Sequence, residues 1–506
     1  MDPGNKTVSL AVIGLVVVLL TVAVFASCSE QPRPARLTIH ITGNIRGHIK
    51  NCGCASGQYG GLLRMARLAK AEQLTAVKPQ GKDKGRPAVA MLIDIGNFAD
   101  PESSVSRLTS QGVVMGMSKM GYGVVGLGKY DLSFSQEELF GMFADSGLPL
   151  TAANLKFVKP PEGADRSTEL NELIEQYRVL ELEDGFRVGV IHIIDDNAQE
   201  VLGALNGFKL QNATVTAKDV LAEHLSDADF WVLTIADASA KGTGPQSIAA
   251  LTDLDLVIGF IGNNPLESEN SAEVVFPYFI DPPYIKAKDV IQVEVGFPLG
   301  NADPVIQTQR LAIPETIKAD SQVQGIVDLI DESLESLENQ EAERRMQAEI
   351  VHPVYVGYKS CRQCHSEIVE QHLKTAHATA LRSLVDVGQQ SSAACLPCHV
   401  LGHASLPGVK WSGGWNIIDD KDKINMRDMR GVHCESCHGP GEYHVAAISA
   451  QTNGQNLSGE IAAELSKDGR NKVGLLSVNN ETCLVCHDAE NSPKFDYAKY
   501  WQVIKH

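Results

Sequence analysis

Four copies of one pentapeptide constrain this chain more than any other feature: Cys361-Arg-Gln-Cys-His365, Cys395-Leu-Pro-Cys-His399, Cys434-Glu-Ser-Cys-His438 and Cys483-Leu-Val-Cys-His487. C-x-x-C-H is the attachment signal of c-type haem. The two thiols bond to the porphyrin's vinyl groups, and the histidine that follows is placed under the iron. These pairs hold eight of the 11 cysteines, and 11 of the 15 histidines lie from His352 onward. Structural zinc also uses paired cysteines, but it does not require a histidine directly after each pair. A disulfide across so small a loop would stabilise little. The expectation is four covalently bound haem c groups. Their thioether cysteines are Cys361, Cys364, Cys395, Cys398, Cys434, Cys437, Cys483 and Cys486, and their proximal ligands His365, His399, His438 and His487. So many macrocycles in residues 351–506 must pack on one another and supply much of the core. That packing brings neighbouring irons within short electron-transfer range.

The sixth ligands come from the same region. Seven more histidines lie there (His352, His372, His377, His403, His433, His444 and His506), against two methionines, Met426 and Met429. Bis-histidine ligation, with its lower potentials, is therefore expected over Met/His. His433 abuts Cys434 and is expected to point away from its own haem. The segments "YVGYKSCRQCH" (355–365), "TAHATAL" (375–381), "GVHCESCHGPGEYH" (431–444) and "FDYAKYW" (495–501) resemble the nitrifier-type tetrahaem cytochromes c. That resemblance implies His377 and His444 as distal ligands and allows for one five-coordinate haem. His403 and His506 are the next choices.

The chain has 506 residues and a formal net charge of −18, so it lacks the basic footprint of a nucleic-acid binder. With 43% hydrophobic and 21% charged residues it is globular in composition. At the start, Lys6 precedes an apolar run from Val8 to Ser27 that ends in Phe25-Ala26-Ser27-Cys28. A basic start and an apolar segment describe an export signal. The small residues before Cys28 resemble the bacterial lipoprotein cleavage box, which implies lipidation of Cys28. An uncleaved anchor helix and a cleaved signal are the alternatives. All three put the bulk of the chain outside the cytoplasm, and the first two attach it to the membrane. Residues 29–36 read as a linker after the 1–28 signal or anchor.

From Leu37 onward, short Val/Ile-rich runs recur at Leu37–Ile41, Val89–Ile95, Gly123–Leu127, Arg187–Ile194, Phe230–Ile235 and Leu254–Phe260. Helical patterns lie between them at Gly61–Gln73, Gln136–Asp145 and Ala217–Ser226. Alternating strands and helices predict an α/β layered fold with ligands at the strand-end loops. "LTIHITGNIRGHI" (37–49), "MLIDIGNFAD" (91–100), "VVGLGKYDLSFS" (124–135) and "LDLVIGFIGNN" (254–264) resemble the strand-end loops of the 5′-nucleotidase branch of the metallophosphoesterases. The resemblance implies a calcineurin-like phosphoesterase sandwich over 37–315. In that family the loops carry Asp, His and Asn ligands for two metal ions. At the matching positions stand Asn44, Arg46, Asn97, Lys129, Tyr130, Ile261 and Asn263, and the strand ending near Ala236 lacks the expected histidine. A two-metal site needs anionic and imidazole ligands, and Arg46 and Lys129 would place cations where the metals would sit. Phosphoesterase activity is therefore not expected. The rival is a site rebuilt from Asp94, Asp131, Asp195 and Asp237. Cys52 and Cys54 flank a single glycine, so they form either a strained, easily reduced redox pair or a structural feature.

Residues 316–350 read as an acidic linker helix. Val323, Ile326, Val327, Ile330, Leu334 and Leu337 recur at helical spacing, and nine acidic residues lie between Asp320 and Ile350. The architecture expected is an α/β sandwich followed by a mostly α-helical or irregular tetrahaem domain over 351–506. Its expected role is electron transfer between redox partner proteins, with the α/β domain docking or spacing the haems. The alternatives are an oxidoreductase acting on a small nitrogen or sulfur species at a five-coordinate haem, and a bifunctional nucleotidase-cytochrome.

Overall fold

The strand Arg36–Thr42 (β1) is buried along nearly its whole length. It pairs in parallel with Ala88–Asp94 (β2) on one edge and antiparallel with Asp289–Gly296 (β12) on the other. Its sequence "RLTIHIT" alternates, so Leu37, Ile39 and Ile41 share one face while Thr38, His40 and Thr42 are buried on the other. The computed structural model describes residues 33–50, 60–70, 76–79, 81–100, 105–182, 185–196, 198–199, 207–235, 251, 253–259, 279–280, 287–299, 303–347, 355–386, 395–401, 430–454, 475–487, 492 and 495–506. Cys28, Cys52, Cys54, Asp237, Ile261, Asn263 and His403 lie outside them, as does the apolar run at 8–27. Among the described residues no helix is long and apolar enough to cross a membrane.

Six strands form one sheet in the order β13-β12-β1-β2-β3-β4. The members not yet placed are Val124–Gly126 (β3), Leu150–Thr151 (β4) and Val305–Ala312 (β13). A second sheet runs β11-β10-β9-β7-β6. It comprises Phe279–Ile280 (β11), Leu256–Ile258 (β10), Phe230–Ile235 (β9), Arg187–Ile193 (β7) and Tyr177–Glu181 (β6). A small antiparallel pair, Leu155–Phe157 (β5) with Phe208–Leu210 (β8), stands apart from both. The two large sheets meet through one apolar layer: Leu37, Ile39, Ile41, Met91 and Ile93 from the first, Val188, Val190, Phe230 and Val232 from the second. Helices cover the outer faces. Leu62–Lys70 (α1) and Ser106–Met117 (α2) pack on the first sheet. Gln136–Phe143 (α3) begins with a capping box in which Ser135 and Glu138 satisfy each other's backbone N–H groups. After the short helix Ser167–Leu173 (α4), Ala213–His224 (α5) covers the second sheet through Ala217, Val220 and Leu221 against Ile191 and Trp231. The result is the expected layered sandwich, helix–sheet–sheet–helix.

The acidic helix is part of this body. Ser321–Gln347 (α6) sends Val323, Val327 and Ile330 into the same core as α1 and α2. Its contact with α2 is close: a Cβ at Gly112 would stand 2.9 Å from Ile330, and one at Gly116 3.4 Å from Val323. Asp320 caps its start, accepting from the backbone N–H of Gln322 (3.0 Å) and Val323 (3.1 Å) and from Lys70 Nζ at 2.8 Å. Burial pushes this carboxyl up, but the Lys70 hydrogen bond and the helix N–H groups hold it below its ordinary value.

After α6 the character changes to short helices: Tyr358–Arg362 (α7), Ser366–His372 (α8), Ala380–Asp386 (α9), Leu396–His399 (α10), Cys434–His438 (α11), Glu442–Asn453 (α12), Asn480–Leu484 (α13) and Tyr497–Ile504 (α14). No strand occurs here among the described residues. A hydrophobic cluster in this part is small, with Leu384, Leu396 and Val400 as its buried members.

Asp320→Ala removes the cap and its ion pair. We expect a loss of about 1–2 kcal/mol in the unfolding transition of the α/β domain, read by denaturant titration.

Candidate functional site

The loops beyond the carboxyl ends of the parallel strands β1, β2 and β3 converge, which is where α/β sheets bind ligands. Three non-glycine residues there are left-handed: Asn44 and Arg46 (φ 52° each) and Asn97 (φ 61°). Such backbone costs of order 1–3 kcal/mol per residue and needs its surroundings to hold it. The two loops zip together: Asn44 N–H donates to Gly96 O (2.9 Å), Arg46 N–H to Asn97 O (3.1 Å) and Gly47 N–H to Phe98 O (2.7 Å). Asn97 Nδ2 donates to Asn44 Oδ1 at 3.0 Å. Gly128 must lack a side chain, since a Cβ there would overlap Asn97 Oδ1.

The buried acids face inward as braces. Asp131 accepts from the backbone N–H of Asn97 (2.8 Å), Ala99 (3.0 Å) and Gly128 (2.7 Å). Burial nevertheless pushes its carboxyl up to about 7. Asp94 accepts from Thr42 Oγ1 (2.6 Å) and Gly96 N–H (2.8 Å) and is pushed by burial to about 6. His192 is braced likewise. Its Nε2–H donates to Leu127 O at 2.8 Å, its Nδ1 meets the Thr234 hydroxyl at 2.8 Å, and burial pulls it down to about 4. It is therefore neutral. Asp195 is buried after β7. Of the rival set, Asp237 lies outside the described residues, and among the described residues no three of His, Cys, Asp and Glu are placed to hold one metal ion. Cations stand at the mouth instead. The Arg46 guanidinium carbon lies 3.4 Å from the centroid of the Tyr130 ring, and Lys129 Nζ lies 4.8 Å from it.

The Cys/His region has a repeated local geometry. In the first, third and fourth pentapeptides the backbone N–H of the histidine bonds back to, or shares one helical turn with, the first cysteine: His365 to Cys361 O (2.9 Å), His487 to Cys483 O (2.9 Å), and Cys434–His438 as α11 itself. In the second, Cys398 N–H bonds to Cys395 O at 3.2 Å and α10 ends on His399. One helical turn brings positions i, i+3 and i+4 to one face, so both thiols and the imidazole point the same way. None of these eight cysteines is disulfide-bonded.

Outer contacts then fix which imidazole nitrogen carries the proton. His399 Nδ1 bonds to Ala380 O (2.8 Å), His438 Nδ1 to Leu476 O (3.2 Å) and His487 Nδ1 to Ser492 Oγ (2.9 Å). A carbonyl only accepts, so in His399 and His438 Nδ1 is protonated and Nε2 presents the lone pair.

A cavity of about 680 Å³ is lined by Cys361, Cys364, His365, Cys434, Cys437 and His438, together with His372, His377, His433, His444 and His506. The predicted distal residues approach particular motif histidines. The His377 and His487 rings are 5.9 Å apart, and those of His506 and His438 are 5.7 Å apart. Burial and then the nearby His365 disfavour a charge on His444, whose Nδ1 is buried without a partner. Burial, then the neighbouring His487 and His372, pull His377 down to about 4, so it is a neutral donor at pH 7.

Two histidines, His372 and His433, take places that the local sequence does not give. His433 is buried, lines the cavity, lies at a tilt to the Tyr358 ring (centroids 4.7 Å apart) and meets His372 Nε2 through its Nδ1 at 3.3 Å. The contact joins the end of α8 to the residue just before α11. Glu435, inside the third pentapeptide, is also buried. It accepts from the backbone N–H of Val356 (3.0 Å), Gly357 (2.8 Å) and Gly441 (2.7 Å), tying the first motif to the third.

The donor set fits c-type haem. Each motif offers two thiols outside any disulfide beside a histidine, a large cavity adjoins two of the motifs, and the buried Nδ1 of His444 lacks a partner. Among the described residues the region also has little apolar core of its own.

Comparison with known proteins covers both parts. Residues 360–439 match the family profile described as "Cytochrome c554 and c-prime". The chain is 26% identical over 162 residues to cytochrome c-554 of Nitrosomonas europaea, covering 28% of this chain and 60% of that protein. Among solved structures it is similar to a 5′-nucleotidase precursor from Thermus thermophilus (TM-score 0.46, 15% identity, 60% of this chain and 59% of that one). It is also similar to the calcineurin-like phosphoesterase YfkN from Bacillus subtilis (TM-score 0.43, 14% identity, 60% of this chain and 98% of that one). The chain thus spans about three fifths of the length of the cytochrome and of the nucleotidase precursor.

Asp131→Asn turns an amide donor toward backbone donors and leaves at least one N–H unpaired. We expect a loss of about 1–3 kcal/mol, measured by chemical denaturation of the α/β domain. An α/β domain of two packed sheets thus precedes a C-terminal region whose residues 360–439 match the cytochrome c554 and c-prime family profile.

Proposed function

We propose that this chain is an exported multihaem c-type cytochrome that carries electrons along four covalently attached haems, with the α/β domain acting as a docking or spacing module. The observation that supports this best is the common shape of the four pentapeptides, each setting two sulfurs and an imidazole on one face. When bound, the haem iron supplies a one-electron couple. The chain's own contribution is orientation and tuning. The Nδ1 contacts to Ala380, Leu476 and Ser492 hold the motif imidazoles and raise their basicity. His377, His444 and His506 lie near His487, His365 and His438 and would serve with them as second imidazole ligands. His403 is the choice for the second motif. Two-histidine ligation favours low potentials. The α/β domain has inward-turned Asp94 and Asp131 and cations at its mouth, which supports a role other than metal-assisted hydrolysis. Residues 1–28 would deliver the chain to the compartment where haem is attached and tether it by Cys28 or by an anchor helix. The partners would be a donor and an acceptor protein.

The purified, exported protein is expected to contain four haems per chain by pyridine haemochrome assay. Its ferric spin-resonance spectrum is expected to be low-spin and indifferent to nitrite and hydroxylamine, and the optical spectrum of the reduced protein indifferent to carbon monoxide. A colourless protein would overturn the reading, and a high-spin fraction that binds these ligands would favour the enzyme alternative. His506→Ala should convert one haem in four to high spin and leave the haem count unchanged.

A further inference from the structure

The attachment signal C-x-x-C-H leaves its two middle positions open to almost any side chain. In the third pentapeptide one of them is Glu435, and it is 2% exposed. Its Oε1 accepts from Val356 N–H (3.0 Å) and Gly441 N–H (2.7 Å), and its Oε2 from Gly357 N–H (2.8 Å). All three partners donate, and a carboxylate is the side chain that accepts several times and donates nothing. Burying it costs free energy that these bonds offset. The neighbours are shaped to it. A Cβ at Gly441 would stand 3.2 Å from Oε1 and 3.2 Å from Val356 Cγ2, and Gly357 is left-handed (φ 77°). Gly357 opens α7, which carries Cys361, and the Cys361 thiol donates to Gly357 O at 3.8 Å. One side chain of α11 therefore fixes the start of α7. The sulfurs follow: the thiols of Cys361 and Cys434, the leading cysteine of each motif, lie within hydrogen-bonding reach of each other, and both motifs line one cavity.

We propose that Glu435 is a positioning residue for electron transfer: by holding α7 against α11 it sets the relative placement of the haems attached at Cys361/Cys364 and at Cys434/Cys437, and so the electronic contact between them. The inference rests on the haem reading given above. Glu435 acts through the backbone, and what it contributes is reach and three acceptor contacts. The step it serves moves one electron, oxidising one ferrous iron and reducing the neighbouring ferric iron, with no proton or further reactant.

The test uses the exported, haem-loaded, full-length protein and reads two signals. One is the magnetic interaction of neighbouring low-spin ferric haems in the frozen-solution spin-resonance spectrum. The other is the rate at which an electron equilibrates among the haems after flash photoreduction. Glu435→Ala should lose the interaction to isolated low-spin lines and slow the equilibration about tenfold or more, as geometry-dependent steps do when displaced by about 1 Å. Glu435→Asp keeps the charge but is one methylene short, and should behave like the Ala variant. Glu435→Gln keeps the reach and the contacts at Oε1, and should fall between Ala and the native residue. Four low-spin haems by pyridine haemochrome and spin resonance identify variants fit to compare. Should Glu435→Ala fail that check, Gly441→Ala carries the test, because its Cβ crowds Oε1 while Glu435 stays in place. A colourless unsubstituted protein overturns the haem reading and this inference with it. Four low-spin haems with both signals unchanged in the variant that carries the test overturn this inference alone. So does a series in which Asp behaves as the native residue and Gln does not, since that marks charge and not placement.

Discussion

Strand β1 is hydrogen-bonded on both edges and covered on both faces, and most of the α/β domain follows from that confinement. A strand so placed cannot carry an unpaired charge, so Leu37, Ile39 and Ile41 go to the sheet–sheet layer, His40 on the other face is pushed by burial toward its neutral form, and the charged groups stand beyond the strand's end. There the chain reverses through left-handed residues and meets the loop of β2. The carboxylates of Asp94 and Asp131 that remain inside are held by backbone donors. The same confinement thus produces a stable body and a mouth that carries Arg46 and Lys129.

The C-terminal region obeys a different constraint. Its helices are short and its apolar cluster is small, so among the described residues side chains alone do not give it a core comparable with that of the sandwich. What it has instead is a set of thiols and imidazoles repeated at a fixed spacing around a cavity. Imidazoles from separate parts of the chain meet there, such as His377 with His487 and His506 with His438.

Much of this was legible in the residues. Short segments rich in Val, Ile and Leu marked β1, β2, β7 and β9 to within a residue or so, because buried strands concentrate β-branched and aliphatic side chains. The periodicity of Val323, Val327 and Ile330 marked α6, though not that α2 would receive it over Gly112 and Gly116. The short strands β4 and β8 left no trace, since their pairing is imposed by neighbours. β12 was obscured by Gln292 and Glu294 within its apolar run. The pentapeptides were plain because their chemistry is local. The places of His372 and His433 were not, because two helices distant in sequence put them together. Asp131 and Asp94 could be read as possible metal ligands from composition. Only the turn at Asn97 shows that their oxygens face backbone donors.

Glu435 has one further consequence. Its carboxylate gathers amides from ahead of the first motif and from behind the third, and it does so with protein atoms alone. The clasp therefore needs no prosthetic group. It holds the first and third pentapeptides in a preset mutual register, so part of the spacing between their cysteines is laid down by the bare chain.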